Sequence, residues 1–225
     1  MSHSVHPYAF RLGILRDWKS RWFSVKKYQQ FLKADVLIRN WLEKELRGMH
    51  VESIEIERSP VLFHIILKTS RPGLIIGRGG GGAERLKKSI QKTLRKLGAD
   101  MPREIKLTIE EVRDPELKAS LVAQMIAEDL EKRLPFRRVM KQTIDKVMSN
   151  KGAKGVKIAL AGRLGGSEMS RREWLQQGKV PLQTLRADVD FAKGRAHLPY
   201  GDIGIKAWIY KGEVFEHVIS KEGKI

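Results

Sequence analysis

"PGLIIGRGGGGAERLKK", residues 72–88, sets four consecutive glycines between cations. Gly77, Gly79 and Gly82 fit G-x-G-x-x-G, the dinucleotide fingerprint. Gly77-Arg78-Gly79-Gly80 equally fits G-x-x-G, a loop that clamps a nucleic-acid backbone. A plain tight turn is the third reading. All three use glycine for one reason: without a Cβ the backbone can approach a phosphate and visit positive φ. The flanking residues have to choose.

Upstream, "DVLIRNWLEKELR" (35–47) places Ile38, Trp41, Leu42 and Leu46 on one helical stripe, with Asp35 as N-cap and Gly48 as the stop. "VESIEIER" (51–58) alternates as a strand, "VLFHIILKT" (61–69) is a second, and Ser59-Pro60 marks the turn between them. Downstream, "AERLKKSIQKTLRKLG" (83–98) predicts a basic helix burying Leu86, Ile90, Leu94 and Leu97, and "REIKLTIEEV" (103–112) alternates as a third strand. A dinucleotide loop needs a strand running straight into its first glycine inside a parallel βαβ unit. Here "SRPGLI" intervenes, Pro72 breaks any ladder, and the preceding strands read as an antiparallel hairpin. No acidic residue stands where a ribose would need one. The G-x-x-G reading gains from the same details. Pro72 to Ile76 forms a short helix, 77–80 the loop and 82–97 a second helix, as in a KH domain. Arg71, Arg78, Arg85, Lys87 and Lys88 surround it against Glu84 alone, and helix N–H groups would face phosphate.

The style changes after 112–114. Asp114 as N-cap and Pro115 at the first helical position predict a helix carrying Leu117, Leu121, Val122, Met125 and Ile126, stopped by Pro135. "FRRVMKQTIDKVMSN" (136–150) predicts another, followed by strands in "GVKIALAGRLGG", "TLRADVDFA" and "GIKAWIYKGE". The fold class is α+β with two domains. The first is α-β-β-α-α-β on a three-stranded sheet; the second sets two helices on a small mixed or antiparallel sheet. The boundaries expected are 1–34 for an arm and lead-in, 35–112 and 113–213 for the domains, and 214–225 for a short tail.

The 225 residues carry 44 Lys and Arg against 26 Asp and Glu, a net charge of +18. Such an excess points to a polyanion, nucleic acid before anionic membrane. Cysteine is absent, which removes disulfides, thiolate zinc sites and cysteine nucleophiles. No apolar run reaches the roughly 20 residues of a membrane helix. "MSHSVHPYAF" lacks the apolar core of a secretory signal, so a soluble protein of the cell interior is expected. The six histidines are scattered; His3 and His6 have helical-type spacing but no carboxylate or thiolate partner nearby, and His64 inside an apolar strand reads as a packed or edge residue. H-E-x-x-H, G-x-S-x-G and Walker motifs are missing, so no enzyme, cofactor, metal or small-molecule substrate is expected.

The run α-β-β-α-GxxG-α-β resembles a type II KH domain. "HPYAFRLGI", "RPGLIIGRGG", "PFRRVMK", "GRLGGSEMSRREW", "VPLQTLRADVDF" and "YGDIGIKAWIYKGE", in this order over residues 6 to about 213, resemble the small-subunit ribosomal protein S-three family of bacterial or organellar type. The resemblance implies a structural protein of the small-subunit head, in the cytoplasm or on an organelle-encoded ribosome. Its partners would be rRNA, mRNA at the channel where the message enters, and neighbouring head proteins, with no membrane. The implied mRNA contacts are Arg137, Arg138 and Lys141; from Lys132 through Ile144 there are five cations and no acid. The implied rRNA contacts are Arg163, Arg171, Arg172 and Arg186. The KH loop contributes Arg71, Gly77, Arg78, Gly79, Gly80, Lys87 and Lys88. One departure stands out: "GRGGGGAE" has glycines where many relatives carry a further charge, which weighs against tight clamping and leaves a flexible approach to RNA or to a neighbouring protein. The rival class is a free KH regulator acting outside the ribosome, which would be expected to repeat its KH unit or carry base-stacking aromatics.

Overall fold

The computed structural model describes residues 5–59, 61–96 and 104–215. The chain forms two compact units: Trp18–Arg113, and Met1–Asp17 together with Asp114–Ile225. The stretch expected as a lead-in, 1–34, is thus shared between them. Its one-turn helix α1 (Pro7–Phe10) goes with the second unit.

The first unit runs β1 (Ser20–Arg21), α2 (Tyr28–Glu45), β2 (Val51–Arg58), β3 (Leu62–Thr69), α3 (Pro72–Ile76), α4 (Gly81–Lys96) and β4 (Glu104–Glu111). The expected α-β-β-α-α-β order is present. β2 and β3 are the antiparallel hairpin, and the Ser59 N–H closes its turn on the Leu62 carbonyl at 2.9 Å. Pro60 lies outside the described residues. β4 lies parallel to β3, which requires a crossover, and α3, the glycine loop and α4 are that crossover. The sheet has four strands in the order β1-β2-β3-β4, because the two-residue β1 adds in parallel to β2. Ile38, Leu42 and Leu46 of α2 and Leu86, Ile90 and Leu94 of α4 pack on Ile54, Ile56, Phe63, Ile65 and Leu67. The predicted stripes are therefore the buried ones; Leu97 lies outside the described residues.

Asp35 is no N-cap. α2 begins seven residues earlier, at Tyr28, and Asp35 is 1% exposed inside it. It stands three residues before Ile38, on the buried stripe itself. The reason for a carboxylate there is Arg58, whose guanidinium donates to the Asp35 Oδ1 from Nε at 2.8 Å and also from Nη2. Trp22 donates its indole N–H to Oδ2 at 2.7 Å. The guanidinium carbon lies 4.3 Å from the Phe63 ring centre and 5.0 Å from that of Phe31. A second charged group tops the sheet. Arg21 donates to Glu55 at 2.9 Å and to Glu57 at 2.7 Å, and Lys68 donates to Glu55 at 2.6 Å. His64 is held between Glu57 at 3.0 Å and Thr108 at 2.8 Å.

The second unit follows with α5 (Ala119–Glu131), α6 (Phe136–Ser149), β5 (Gly155–Gly162), β6 (Arg171–Gly178), β7 (Ala187–Leu198) and β8 (Gly201–Glu213). Its sheet is antiparallel, in the order β6-β5-β8-β7. Val122 and Ile126 of α5 and Val139, Met140, Ile144 and Val147 of α6 pack on Val156, Ile158, Leu160, Ile203, Ile205 and Ile209. Two expectations change. Asp114-Pro115 opens only a 3-10 turn, Pro115–Leu117, and α5 starts at Ala119, whose N–H donates to the Asp190 carboxylate at 2.9 Å. The cap comes from β7 across the fold, which local spacing does not show. β6 is a strand the sequence reading omits; as a largely exposed edge it carries little apolar alternation, and its backbone pairing with β5 makes it.

The N-terminal segment is fastened by Arg11, which is 0% exposed. Its guanidinium donates to the carbonyls of Ala187 at 2.6 Å, Thr184 at 3.0 Å, Leu182 at 3.1 Å and Pro181 at 3.3 Å, and to Pro7 at 3.0 Å. Burial lowers its pKa, with the nearby Asp188 charge opposing.

Two outcomes follow for the first unit. Asp35→Ala leaves a buried guanidinium uncompensated and costs about 3–5 kcal/mol, read from the urea midpoint, and replacing both partners by apolar residues recovers much of it. Burial pushes the Glu55 carboxyl up, but hydrogen bonds from Lys68 and Arg21 and their charges hold it below its usual value of 4.5; Arg21, then His64, lower Glu57. Carboxyls depressed in the folded state stabilise above their unfolded value and lose that contribution as pH falls through the folded one. Stability therefore falls on acidification from about pH 4.5 downward, and Glu55→Gln flattens that slope in urea titrations at stepped pH.

Candidate RNA-contact surfaces

The first surface is the glycine crossover. Gly77 has φ +69°, Gly79 +60° and Gly80 +79°, so the chain turns from α3 into α4 through conformations that side chains disfavour. Arg71, Gly77, Arg78 and Gly79 are exposed, and Gly80 is half-buried. Lys87 and Lys88 are exposed on the first turns of α4. Arg85, Lys88, Lys92 and Arg95 recur at helical spacing on the same exposed surface, so the basic side continues along α4 beyond the residues first singled out. The short α3 leaves Leu74 55% and Ile76 39% exposed beside the loop. Their signal in the sequence was two apolar residues too many for a five-residue helix with one buried position, Ile75.

Gly82 has a separate role. A Cβ there would lie 2.5 Å from the Ile75 carbonyl oxygen and 2.9 Å from that of Ile76, so the glycine lets α4 close on the end of α3. Gly81 has nothing within 4 Å of such an atom and adopts φ −61°, ψ −25°.

The second surface, in the other unit, is built on α6. Val139, Met140, Thr143, Ile144 and Val147 face the core, which leaves Arg137, Arg138 and Lys141 exposed on the opposite side. Arg137 is braced. It donates to Glu173 of β6 at 3.4 Å, and Arg171 donates to the same carboxylate at 3.0 Å. Both guanidinium carbons lie over the Phe136 ring, at 5.6 and 5.7 Å. Hydrogen bonds from Arg137, then from Arg171, hold the Glu173 carboxyl below its ordinary range, so it stays ionised between them. Arg138 and Lys141 form no ion pair among the described residues. With exposed Asp145 four residues after Lys141 on the same side of α6, four cations face two carboxylates, which leaves two positive charges in excess.

The remaining candidates separate. Arg163 donates to the carbonyls of Ser167 at 2.8 Å and Tyr200 at 3.2 Å, holding the 3-10 turn Leu164–Gly166. Its guanidinium is used inside the fold. Arg186 pairs with Glu213 at 2.6 Å and lies 5.5 Å from the Phe215 ring. Arg171 and Arg172, adjacent in sequence, point to opposite faces of the sheet by strand alternation: Arg171 toward α6, Arg172 away. Among the described residues no group of three or more His, Asp or Glu could hold a metal ion.

A GxxG crossover on an αββααβ unit, joined to a helix-on-sheet unit with its own cationic face, defines a two-domain KH protein directed at RNA. Family models agree: one described as "KH domain" matches residues 37–117, and one described as "Ribosomal protein S3, C-terminal domain" matches 126–209. The chain is 44% identical over 225 residues to small ribosomal subunit protein uS3 of Koribacter versatilis, covering 100% of this chain and 97% of the relative. It is 46% identical over 222 residues to that of Lawsonia intracellularis, covering 98% and 100%, and 46% over 215 to that of Caldicellulosiruptor saccharolyticus, covering 95% and 94%. The chain belongs to the uS3 family of small ribosomal subunit proteins, of the bacterial type. These relatives carry the name of a ribosomal protein, none that of an enzyme.

The glycine run yields a test with two signs. Gly81→Ala raises stability by about 0.5–1 kcal/mol, because a helical glycine in open space only costs entropy. Gly82→Ala lowers it by about 1–3 kcal/mol, because backbone carbonyls must move. Urea unfolding of the two variants should bracket the parent; equal shifts would refute the closure of α4 on α3.

Proposed function

We propose that the protein is a structural component of the small ribosomal subunit in the cytoplasm, held there by rRNA and neighbouring head proteins. In this reading it contacts single-stranded mRNA with α6 where the message enters its channel. The observation that carries this reading is the exposed trio on α6, with Arg138 and Lys141 unpaired and Arg137 braced by Glu173. The family membership supports the ribosomal half of it, and the absence of acids between Lys132 and Ile144 supports the mRNA half.

The action is electrostatic and makes no bond. Lys and Arg hold phosphates, which are the same in every message, so the contact is independent of sequence. Glu173 fixes one guanidinium in place, so less side-chain freedom is lost when RNA arrives. Translocation supplies the work of strand separation, and the cations bias the freed strand against pairing again. The glycine crossover with Arg71, Arg78, Lys87 and Lys88 is a second RNA contact in this reading, and Arg171, Arg172 and Arg186 remain rRNA contacts. Arg163 supports a turn beside them.

Sedimentation of the tagged protein from lysate, at low and raised salt, tests the placement. Co-migration with small subunits and polysomes that survives moderate salt is expected. Persistence in light fractions would hand the reading to a free KH regulator. For α6, Arg138→Ala with Lys141→Ala should lower the salt slope for single-stranded RNA by about 1.4, at roughly 0.7 per lost phosphate contact. Translation of a structured message should slow while an unstructured one is unaffected; equal slowing of both would sink the mRNA role.

A further inference from the structure

Among the described residues the sheet of the second unit carries α5 and α6 on one face, while the one-turn α1 lies against β7 on the side of Phe191. Part of its other face is covered: Ala187, Val189, Trp208 and Tyr210 are buried with Val180 and Leu182 packed against them, and His6 stands edge-on to Phe191 at 4.7 Å. Beyond that cover the strand registers line up rows that cross all four strands. Trp174, Ala159, Lys206 and Lys193 are successive partners from β6 to β7. Arg172, Ala161, Gly204 and Arg195 form the next row. On the other side, Lys157 leads to Trp208 and Phe191 under the cover. Each row spans roughly 14 Å and successive rows lie roughly 7 Å apart, from strand spacing and rise.

Three properties of these rows coincide. Trp174 is 56% exposed, and the Lys157 ammonium lies 4.7 Å from its ring centre and 5.8 Å from that of Trp208. Arg172, Lys193, Arg195 and Lys206 are exposed and form no ion pair among the described residues. No carboxylate stands in these rows, and Asp202, one row further, is paired with His197 at 2.7 Å. The floor between the cations is small: Ala159, 3% exposed, belongs to the edge of the covered cluster, Ala161 is exposed, and a Cβ added at Gly204 would meet only the Ala161 oxygen, at 3.7 Å.

We propose that this open sheet face is a binding site for single-stranded RNA, with an unpaired base stacked on Trp174 and flanking phosphates held by Arg172, Lys193, Arg195 and Lys206. Unpaired bases offer a π-face that sequence does not alter, and cations at row spacing suit a strand laid across the sheet. An acidic peptide would use the cations and leave the indole idle. A duplex hides the faces that Trp174 would stack on. The inference rests on the RNA-directed reading above, yet it assigns a surface on the opposite side of the sheet from α6, and of its residues only Arg172 already stands among the rRNA contacts of that reading.

The test is photocrosslinking of a short thiouridine-containing oligouridylate to the full-length protein, with peptide mapping, alongside anisotropy titrations. Crosslinks on β6 and β8 are expected. Trp174→Ala should cut them by roughly 5- to 100-fold, the range of a lost base–aromatic stack, while Trp174→Phe keeps most of them. Ala161→Glu, at an exposed position, should cut them too without moving the unfolding midpoint. The double variant Arg138→Ala, Lys141→Ala should leave β6 and β8 crosslinks in place, which separates the two surfaces. Wild-type crosslinking in both Trp174→Ala and Ala161→Glu overturns the proposal, as do crosslinks confined to α6 or the glycine loop. RNA binding unchanged by Ala161→Glu, with loss of a neighbouring subunit protein on reconstitution, overturns it in favour of a protein occupant. A wild-type chain that binds no RNA overturns both this site and the RNA-directed reading.

Discussion

Like-charge repulsion governs where many of the described carboxylates of this molecule sit. With a net charge of +18, a compact chain is stable only if its few acids neutralise the cations that folding brings close together. They do so at defined places. Asp35 lies under Arg58 in the first core, and Glu55 and Glu57 gather Arg21, Lys68 and His64 on the sheet. Asp188 takes Arg16 at 2.7 Å, Glu213 takes Arg186, and Glu173 is shared by Arg137 and Arg171. What is left over is uncompensated and exposed, and it collects on α4, on α6 and on the open sheet face.

Two periodicities sort the side chains into these roles. On α6 the 3.6-residue period buries Val139, Met140 and Val147 and turns Arg138 and Lys141 outward. On β6 the two-residue period sends Arg171, Glu173 and Leu175 toward the helices and Arg172 and Trp174 away from them. A one-residue slip of β6 would exchange the two sets, so the long unbroken register with β5, from Gly155 against Gly178 to Gly162 against Arg171, keeps the surfaces distinct.

Much of this was legible in the chain because its signals are local. The G-x-x-G loop announces itself through Pro72, the cations and the hairpin before it, and the α6 cations lie within five residues of one another. The apolar stripes at Ile38, Leu42, Leu86, Ile90 and Leu94 carry their helical period openly. What was not legible depends on partners distant in sequence. Asp35 looks like a cap because nothing near it reveals Arg58. Asp114 looks like the start of a helix that Asp190 actually caps. β6 exists through its pairing with β5, and the row Trp174, Ala159, Lys206, Lys193 draws one residue from each of four strands. Gly82 reads as a weak helix start until the carbonyls of Ile75 and Ile76 are seen beside it.

The placement of Arg11 has a consequence in time. Its guanidinium closes on the carbonyl of Ala187, 176 residues further along the chain. During synthesis Arg11 therefore waits for Ala187, while the unit from Trp18 to Arg113 has all of its strands once β4 is made. Domains fold as units as they emerge, and contacts of long sequence separation form late. A chain stalled between the two units would hold a completed first unit and an unmatched cationic leader. The closing of the carbonyl ring around Arg11 thus marks the moment at which the chain has been made through Ala187.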